Sequence, residues 1–374
     1  MKLVLHLAAH QPYRVRDYTI FDAGKYHDYF ADHERNHVHT KDTLNYACDN
    51  YYLPINEALL HAIECNPEFR ASISVSGMLL EHMEESRPDV LQSFRNLVEK
   101  ATGRIEVTAE TYYDSLAFFY NKEEFEEQVR IHAEACERLL GYKPHSFRNT
   151  GLSYSQDLGL WASQNGYEAV LAEGSDKLLS WRSPNYCYRV HDDGPALLAR
   201  NQLFSEQVAS GEANATDMLE GQSGDVVNVF LPYESNSTSF IGSICSLKDT
   251  QYEFATVSGA AREHIESEAI EARSVTSWLD DDRDLSSLNG SPMQQEALKA
   301  IYELTEAVMI SSDHALIRDW RMLQTSCIFR CMDTKPNAYG CMRTQESPYE
   351  TQMSYMNVIL DIRARLARMG IVTK

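Results

Sequence analysis

The sequence predicts an α/β fold built on parallel strands, followed by an all-helical C-terminal region. Short apolar or β-branched runs alternate with longer amphipathic patterns over the first two-thirds of the 374 residues. Such alternation is typical of parallel strands joined by crossover helices, so we expect a doubly wound sheet or a β/α barrel. The strand patterns stop near residue 250. We therefore predict an α/β domain over 1–250 and a helical region over 251–374.

Each predicted element follows from the period of its apolar residues. Five short runs have the length and composition of buried strands: KLVLHLAA, ASISVS, RIEVTA, EAVLAE and DVVNVFL. The segments between them have helical periodicity, as in NEALLHAIE, PDVLQSFRNLVEK and KEEFEEQVRIHAEACERLL. The C-terminal part continues with helical patterns alone, in MQQEALKAIYELTEAVMI, DHALIRDWRMLQTSCIFRCM and YETQMSYMNVILDIRARLARM.

Composition and charge exclude several classes of function. The formal net charge of -21 argues against nucleic acid or an anionic membrane as a partner, because both would repel the chain. No run approaches the length of about eighteen apolar residues that indicates a membrane span. The opening MKLVLHLAAH fits a first strand better than a signal peptide, and the eight scattered cysteines favour reduced thiols. We expect a cytoplasmic protein.

Polar residues follow several of the predicted strands. In β/α barrels the reactive side chains lie at the C-terminal ends of the strands, so these residues are the first candidates for chemistry. They are His10 and Gln11, Glu110, Arg148 and Asn149, Glu173, and Glu234.

Longer motifs around these strand ends occur in the order found in glycoside hydrolase family 57, and they resemble its α-amylase branch most. The motifs are HQPYR (10–14), GRIEVTAETYYDSLA (103–117), FRNTGLSYSQDLGLWASQNGYEAVLAEG (147–174), WRSPN (181–185), SVTSWLDDDRDLSSLNG (274–290) and LQTSCIFRCMDTK (323–335). The resemblance implies an incomplete seven-stranded β/α barrel followed by a helical bundle. It also implies α-glucan chemistry with retention, in which a Glu is the nucleophile and an Asp is the acid and base.

The resemblance further implies that both catalytic carboxylates are missing. The family's nucleophilic Glu follows the Thr of the FRNT motif, and Gly151 stands at that position here. The family's Asp precedes Tyr-Glu in the strand-seven motif, and Pro232 stands there. A retaining glycosidase needs two carboxyl groups about 5–5.5 Å apart. We therefore expect a homologue that does not hydrolyse glucan.

Three other carboxylates at strand ends could act as surrogates. Glu234 lies two residues past Pro232, so in an extended strand it would point to the same side. Glu173 and Glu110 end two other strands. No acid near position 151 replaces the nucleophile, and general acid catalysis alone supplies about 10²–10⁴-fold. A weak hydrolase or transglycosylase is therefore the second hypothesis.

The resemblance also implies a set of residues that would contact an α-glucan or maltooligosaccharide. Trp181 is favoured as a face for sugar stacking. Without the nucleophile, Arg148 is expected to face solvent or to pair with Glu110 or Glu173. A protein partner is an alternative to the glucan. The whole set is His10, Gln11, Arg148, Asn149, Trp181 and Trp278.

The stretch HERNH (33–37) raises a third hypothesis, a zinc hydrolase. On a helix, H-E-x-x-H places His33 and His37 one turn apart with Glu34 as the base, and Glu57 could be the third ligand. Asn36 lowers the helix propensity of this stretch, so a continuous helix is not expected there. We favour structural or surface histidines and predict no metal and no other cofactor.

Overall fold

The computed structural model describes residues 1–211, 219, 221–245, 252–264, 268–335 and 342–372. The chain forms two compact units. Unit 1 contains Met1–His10, Tyr46–Tyr112 and Val129–Asp284, and unit 2 contains Gln11–Asn45, Tyr113–Gln128 and Leu285–Lys374. This division differs from the predicted boundary at residue 250, because apolar periodicity identifies an element but not the core that the element joins.

Unit 1 is built around a set of parallel strands. The described strands are β1 (Lys2–Ala9), β2 (Ala71–Val75), β3 (Ile105–Val107), β4 (Ser146–Arg148), β5 (Ala169–Glu173), β6 (Cys187–Arg189), β7 (Ala196–Arg200), β8 (Val226–Pro232) and β9 (Glu253–Ala255). One sheet has the order β3-β2-β1-β8, with β9 paired to β1, and the other has the order β4-β5-β7-β6. Strands β6, β7 and β9 were not predicted from the sequence, and β4 was implied only by the placing of Arg148 and Asn149 at a strand end.

The two sheets continue into each other as a barrel. A parallel bridge between Ala109 and Phe147 joins the end of β3 to β4. The backbone N–H of Asn201, just after β7, donates to the carbonyl of Asn228 in β8 at 2.8 Å. All the strands of this circuit run parallel except β6, which is antiparallel to β7. The predicted incomplete seven-stranded β/α barrel is confirmed, and its strands are β1–β5, β7 and β8.

The N-terminal end of the barrel is closed by the segment after β8. Strand β1 pairs with β2 near its C-terminal end and with β9 near its N-terminal end, so β1 and β2 diverge there. A short helix, Val257–Glu263, follows β9 and enters the gap. The backbone N–H of Ser258, in its first turn, donates to the buried carboxylate of Glu106 at 2.8 Å. The helix start therefore adds a donor to a buried carboxylate that also accepts from Ser146 Oγ at 2.5 Å.

The interior of the barrel has two halves of different chemistry. Side chains alternate along a strand, so every second residue faces the interior. We call the buried polar side chains of β1–β4 the polar half: His6, Ser72, Ser74, Glu106, Thr108, Ser146 and Arg148, with Glu110 just beyond β3. We call the buried cluster formed mainly by β5, β7 and β8 the apolar half: Val4, Ala169, Leu171, Ala196, Leu198, Val226 and Phe230.

The helices alternate with the strands in unit 1 and make up the C-terminal part of unit 2. In chain order, the described helices are α1 (Thr40–Ala47), α2 (Leu53–Cys65), α3 (Gly77–Ser86), α4 (Pro88–Lys100), α5 (Ala117–Tyr120), α6 (Lys122–Leu140), α7 (Gln156–Gln164), α8 (Asp176–Leu179), α9 (Gln202–Ser210), α10 (Ser237–Cys245), α11 (Val257–Glu263), α12 (Ser286–Asn289), α13 (Pro292–Glu303), α14 (Thr305–Ser311), α15 (His314–Met322), α16 (Ser326–Cys331) and α17 (Pro348–Arg368).

Side-chain caps fix where several of these helices begin. Ser76, Ser155 and Asn201 each accept a hydrogen bond from the backbone of the first turn that follows. Ser291 and Ser347 form reciprocal capping boxes at the starts of α13 and α17. The last 90 residues thus contain the helices that the sequence predicts. Neither α17 nor any other helix in the described part is long and apolar enough to cross a membrane.

The cysteines agree only partly with the expectation of reduced thiols. Cys48, Cys65, Cys136, Cys187 and Cys327 are free. Cys331 is disulfide-bonded, so the expectation is wrong for that residue. Spacing in the sequence could not reveal this, because a disulfide needs two side chains that the fold brings together.

Candidate functional site

Arg148 ends β4 in the interior of the barrel and forms a buried ion pair. Its side chain is 4% exposed, and its Nη2 donates to Oε2 of Glu110, which is 1% exposed. Its Nε donates to Ser74 Oγ at 2.8 Å. Of the two partners expected for Arg148, the structure selects Glu110. Glu110 is therefore already engaged by the charge-assisted hydrogen bond from Arg148 inside the barrel.

A buried histidine, which the sequence had not singled out, supports the backbone beside this ion pair. His132 lies on α6, and its Nδ1 accepts from the backbone N–H of Glu110 at 3.3 Å. Its Nε2 therefore carries the proton and donates to the carbonyl of Val75 at 3.0 Å. Burial lowers the pKa of His132 to about 4. The imidazole is neutral and holds the ends of β2 and β3 in position.

Glu173 ends β5 in a second ion pair. Arg200, at the end of β7, places Nη1 3.3 and 3.4 Å from the two carboxylate oxygens of Glu173. Glu173 is fully buried and Arg200 is 2% exposed, while Arg283 lies 3.9 Å from the same carboxylate. Burial raises the pKa of Glu173, and the two arginines oppose that rise. The run GPALLAR could have identified Arg200 as a strand-end residue, but β7 was not predicted.

Glu234 is turned toward the helices that surround the barrel. Strand β8 ends at Pro232, and the chain bends at once, so the extended geometry that would align residues 232 and 234 is not continued. The hydroxyl of Tyr52 donates to Glu234 Oε1 at 2.5 Å. Tyr233 packs against the Tyr52 ring at 5.7 Å and donates to Asn56 Oδ1 at 3.0 Å. The extended geometry that would point Glu234 to the same side as position 232 is therefore not formed.

Gly151 is closed in by the loop that contains Leu279. Its φ of 58° lies in the left-handed region that favours glycine. A Cβ at this position would lie 2.3 Å from Leu279 Cδ1, well inside van der Waals contact. The Gly151 carbonyl accepts hydrogen bonds from Ser277 Oγ at 2.8 Å and from the Trp278 N–H at 3.1 Å. These bonds hold the loop against Gly151, where a side chain would require the Leu279 side chain to move.

The remaining predicted contacts divide into buried and accessible residues. His10 Nδ1 lies 2.7 Å from Ser76 Oγ, the cap of α3. Asn149 is fully buried and donates to Ser153 Oγ at 2.9 Å. In unit 2, Gln11 Oε1 accepts from Arg14 Nη2 at 3.3 Å. Asn149 thus contacts a side chain of the turn that follows β4.

The two tryptophans of the predicted set have opposite environments. Trp278 packs on the apolar half, with Phe230 at 6.2 Å and the Arg200 guanidinium 5.5 Å from its ring centre. Trp181 is 83% exposed and follows Ser180, whose φ of 57° and ψ of −116° are strained for a residue with a side chain. The Arg182 guanidinium lies 5.0 Å from the Trp181 ring centre. Trp181 is therefore the aromatic face available to a ligand.

HERNH does not lie on a helix. Residues 33–37 form turns and bends, and α1 begins only at Thr40. The ring nitrogen Nδ1 of His33 is directed at the backbone N–H of Arg35, at 3.2 Å. Within the residues that the structure describes, no group of three metal-ligating side chains contains His33, His37 or Glu57. The one-turn spacing on which the zinc hypothesis depended is absent.

Solved structures share this architecture. A GH57 branching enzyme from Thermococcus kodakaraensis superposes with a TM-score of 0.72 at 14% identity, covering 98% of this chain and 90% of that chain. For a 4-alpha-glucanotransferase from Thermococcus litoralis the TM-score is 0.68 at 14% identity, covering 98% of this chain but 60% of that chain. At this level of identity the likeness establishes a common fold.

Sequence comparison establishes the family. Residues 4–242 match the model of glycosyl hydrolase family 57. A candidate alpha-amylase of Methanocaldococcus jannaschii is 25% identical over 402 residues, covering 96% of this chain and 84% of that protein. An alpha-amylase of Pyrococcus abyssi is 26% identical over 148 residues, a stretch that is 19% of that enzyme's length. The chain belongs to glycosyl hydrolase family 57.

Proposed function

We propose that this member of family 57 binds an α-glucan or maltooligosaccharide and does not hydrolyse it. The observation that carries the proposal is Gly151 itself, which has no carboxyl group and lies against the Leu279 side chain. The resemblance assigns the nucleophile to that position, and a Cβ there would lie 2.3 Å from Leu279 Cδ1, so a side chain would require Leu279 to move. A glycosyl-enzyme intermediate has no carboxylate to form on.

The position assigned to the acid and base supports the same conclusion. Pro232 carries neither a carboxyl group nor a backbone N–H. Retaining hydrolysis needs two carboxyl groups on opposite sides of the anomeric carbon. The three surrogates are already engaged, Glu110 by Arg148, Glu173 by Arg200 and Glu234 by Tyr52. Recruiting any of them would first require breaking a contact that is at least partly buried.

Trp181 supports the binding part of the proposal. Its ring is held outward by a strained residue before it and by the Arg182 guanidinium beside it. Arg182 is itself fixed by an ion pair with Glu268 at 2.5 Å. A rigid, exposed indole offers the apolar face on which the C–H side of a sugar ring packs. Backbone strain at such a position is more often found at binding sites than elsewhere.

The test is calorimetric titration of the full chain with maltoheptaose, combined with an assay for new reducing ends. We expect saturable binding heat and no reducing ends. Trp181→Ala should weaken binding about tenfold or more, the loss of about 1.4 kcal/mol that one stacking face contributes. Tyr46→Ala is the matched control, because Tyr46 is an aromatic residue that is 54% exposed and is not implied in binding.

Three results would contradict the proposal. Steady release of reducing ends would show that the chain is a hydrolase after all. Equal binding by the wild type and Trp181→Ala would show that Trp181 is not part of the binding site. The absence of binding heat at millimolar maltoheptaose would show that α-glucan is not the ligand, and binding of a protein partner would then be the function to test.

Weak hydrolysis or transglycosylation is the second candidate, and one observation favours it. Glu173 is a strand-end carboxyl whose pKa is raised by burial, as a general acid requires. If reducing ends or transferred glucosyl units are detected, Glu173→Gln should abolish them while Glu234→Gln should not. The opposite pattern would assign the activity to Glu234.

The cytoplasm is our proposed compartment. Five free thiols support it, because thiols persist in a reducing environment. The disulfide at Cys331 weighs in the other direction. Fractionation of the source cells, followed by detection of the chain, tests this directly.

A further inference from the structure

The C-terminal helix α17 is apolar on two faces. Its inner face is fully buried through Tyr355, Val358, Ile359, Ile362 and Leu366. A second stripe faces solvent at positions i, i+4, i+7 and i+11: Tyr349, Met353, Met356 and Leu360. Three of these are exposed, by 64% for Tyr349, 56% for Met353 and 49% for Leu360. A helix that is apolar on opposite faces is expected to be covered on both.

Polar contacts border the stripe on each side. On one side Gln352 donates to Glu296 of α13 at 3.2 Å. On the other side Asn357 donates to the carbonyl of Tyr18 at 3.0 Å, in the loop of residues 18–24. The neighbouring elements of unit 2 thus lie along the edges of the stripe and leave its centre uncovered.

The loop of residues 18–24 adds two more exposed apolar side chains. Ile20 is 56% exposed and Phe21 is 79% exposed. The loop is held rigidly, because Asp22 accepts from the N–H of Thr19 at 2.9 Å and Asp361 of α17 accepts from the N–H of Gly24 at 2.6 Å. Apolar side chains fixed in place lose little entropy on binding, which favours a specific contact.

The exposed apolar surface is large enough for a stable interface. Five side chains between about half and four-fifths exposed, each with roughly 200 Å² of full surface, present on the order of 600 Å². That lies at the upper end of the roughly 300–600 Å² of the largest patch on a typical monomer, and it approaches the roughly 800 Å² that each partner buries in a standard interface.

Charge favours unit 2 as the face through which a second copy of this chain can bind. Unit 1 holds 18 basic and 35 acidic residues, a net charge of −17, whereas unit 2 holds 16 and 20, a net charge of only −4. Contact through unit 2 therefore brings together the parts that repel least. The ends of the stripe also have opposite charges, with Glu346 exposed before α17 and Arg368 exposed at its end.

We propose that two copies of the chain associate through this stripe, with their α17 helices antiparallel about a two-fold axis. Centring the pair between Met356 and Asn357 sets Met353 opposite Leu360 of the second copy. The same register sets Glu346 opposite Ala367, beside Arg368. The register thus matches apolar with apolar positions and acidic with basic positions, as an interface between identical copies requires. This inference is independent of the proposed glucan binding.

Sedimentation velocity of the full chain, from about 1 to about 100 µM, tests the proposal. We expect a concentration-dependent dimer. The variant Met353→Glu/Leu360→Glu should raise the dissociation constant at least about 100-fold, because it buries two unpaired charges. Ile310→Glu is the matched control, since Ile310 is 62% exposed on α14 and lies outside the stripe. Thermal unfolding of each variant confirms that the fold is kept.

A charge exchange tests the antiparallel register itself. Glu346→Arg and Arg368→Glu should each weaken the dimer several-fold, and the double exchange should restore it. A monomer at all concentrations would overturn the proposal, as would a dimer that Met353→Glu/Leu360→Glu leaves unchanged. A dimer that both single exchanges leave unaffected would overturn the antiparallel arrangement.

Discussion

The polar half and the apolar half of the barrel interior are stabilised by different interactions. In the polar half, each charge has a partner, such as Arg148 with Glu110 and Glu106 with the start of α11. The apolar half is packed by aliphatic and aromatic side chains. The two positions to which the resemblance assigns the family's carboxylates fall one at each side, Gly151 after β4 and Pro232 at the end of β8. The stability of the polar half therefore depends on complete pairs, and that of the apolar half on volume.

Removing one member of the buried ion pair should have the largest effect. Arg148→Met leaves the Glu110 carboxylate buried without its cation, so we expect a loss of about 3–5 kcal/mol in the free energy of unfolding. Urea denaturation at neutral pH measures it. The double variant Arg148→Met/Glu110→Gln should recover much of the loss, because no unpaired charge remains.

The apolar half gives the control for this experiment. Leu171→Ala removes volume from a fully buried position and should cost about 2–5 kcal/mol through the cavity that it leaves. That loss should be the same at pH 5 and pH 7, because no charge is involved. If Arg148→Met costs less than about 1 kcal/mol, the pair is solvated and the contrast between the two halves is not one of charge.

Acid should weaken the polar half through His132. Its folded-state pKa is about 4, below the ordinary value of 6.5, because burial opposes the charged form. Between about pH 4 and pH 6.5 the unfolded chain therefore binds a proton at His132 that the folded chain does not bind. The contribution of His132 to the free energy of unfolding is fully present above about pH 6.5 and is lost as the pH falls toward 4. We expect His132 to account for roughly 2 kcal/mol of the loss between pH 7 and pH 5.

The measurement is the difference in unfolding free energy between the wild type and His132→Gln across this range. Other titrating groups contribute equally to both proteins, so the difference isolates His132. His132→Gln should be the less stable protein at pH 7 and should lose less on acidification. Parallel curves would mean that His132 takes up a proton in the folded protein as readily as in the unfolded chain.

Part of the polar half could be predicted from the sequence, because its charged residues lie at strand ends. The motifs placed Arg148 and Glu110 at the ends of neighbouring strands, and the structure pairs them. Arg200 was missed because its strand, ALLAR, was not assigned, although an apolar run that ends in arginine resembles the other strand ends. The fold was thus predicted, and one of its two buried ion pairs was overlooked with its strand.

Other features could not be predicted, for reasons that are local or topological. The helix after HERNH starts at Thr40 because Asp32 accepts from the backbone N–H of Thr40 at 2.6 Å and of Lys41 at 3.0 Å. The closure of Gly151 depends on Leu279, 128 residues away in the chain. Short-range sequence patterns contain neither the contact of Asp32 with the start of α1 nor the contact of Leu279 with Gly151.

Gly151→Ala tests that closure with a well-matched control. Gly151 and Gly103 both have positive φ, of 58° and 74°, so an alanine is strained at either position. Only at Gly151 would the new Cβ meet Leu279, since nothing lies within 4 Å at Gly103. Gly151→Ala should therefore cost about 1–2 kcal/mol more than Gly103→Ala, measured by thermal or urea unfolding. Equal losses would show that the loop yields easily and that position 151 could accept a side chain.

Asn228 should give the smallest change, and with the opposite sign. It lies on β8 between Val226 and Phe230, fully buried, and neither atom of its amide has a hydrogen-bond partner among the described residues. A buried amide in that state costs free energy that an apolar side chain of similar volume does not. Asn228→Leu should therefore raise the free energy of unfolding by about 1 kcal/mol, whereas Asn228→Ala, which removes volume as well, should gain less. A loss of stability in Asn228→Leu would show that the amide is satisfied and that the apolar half, like the polar half, depends on complete polar contacts.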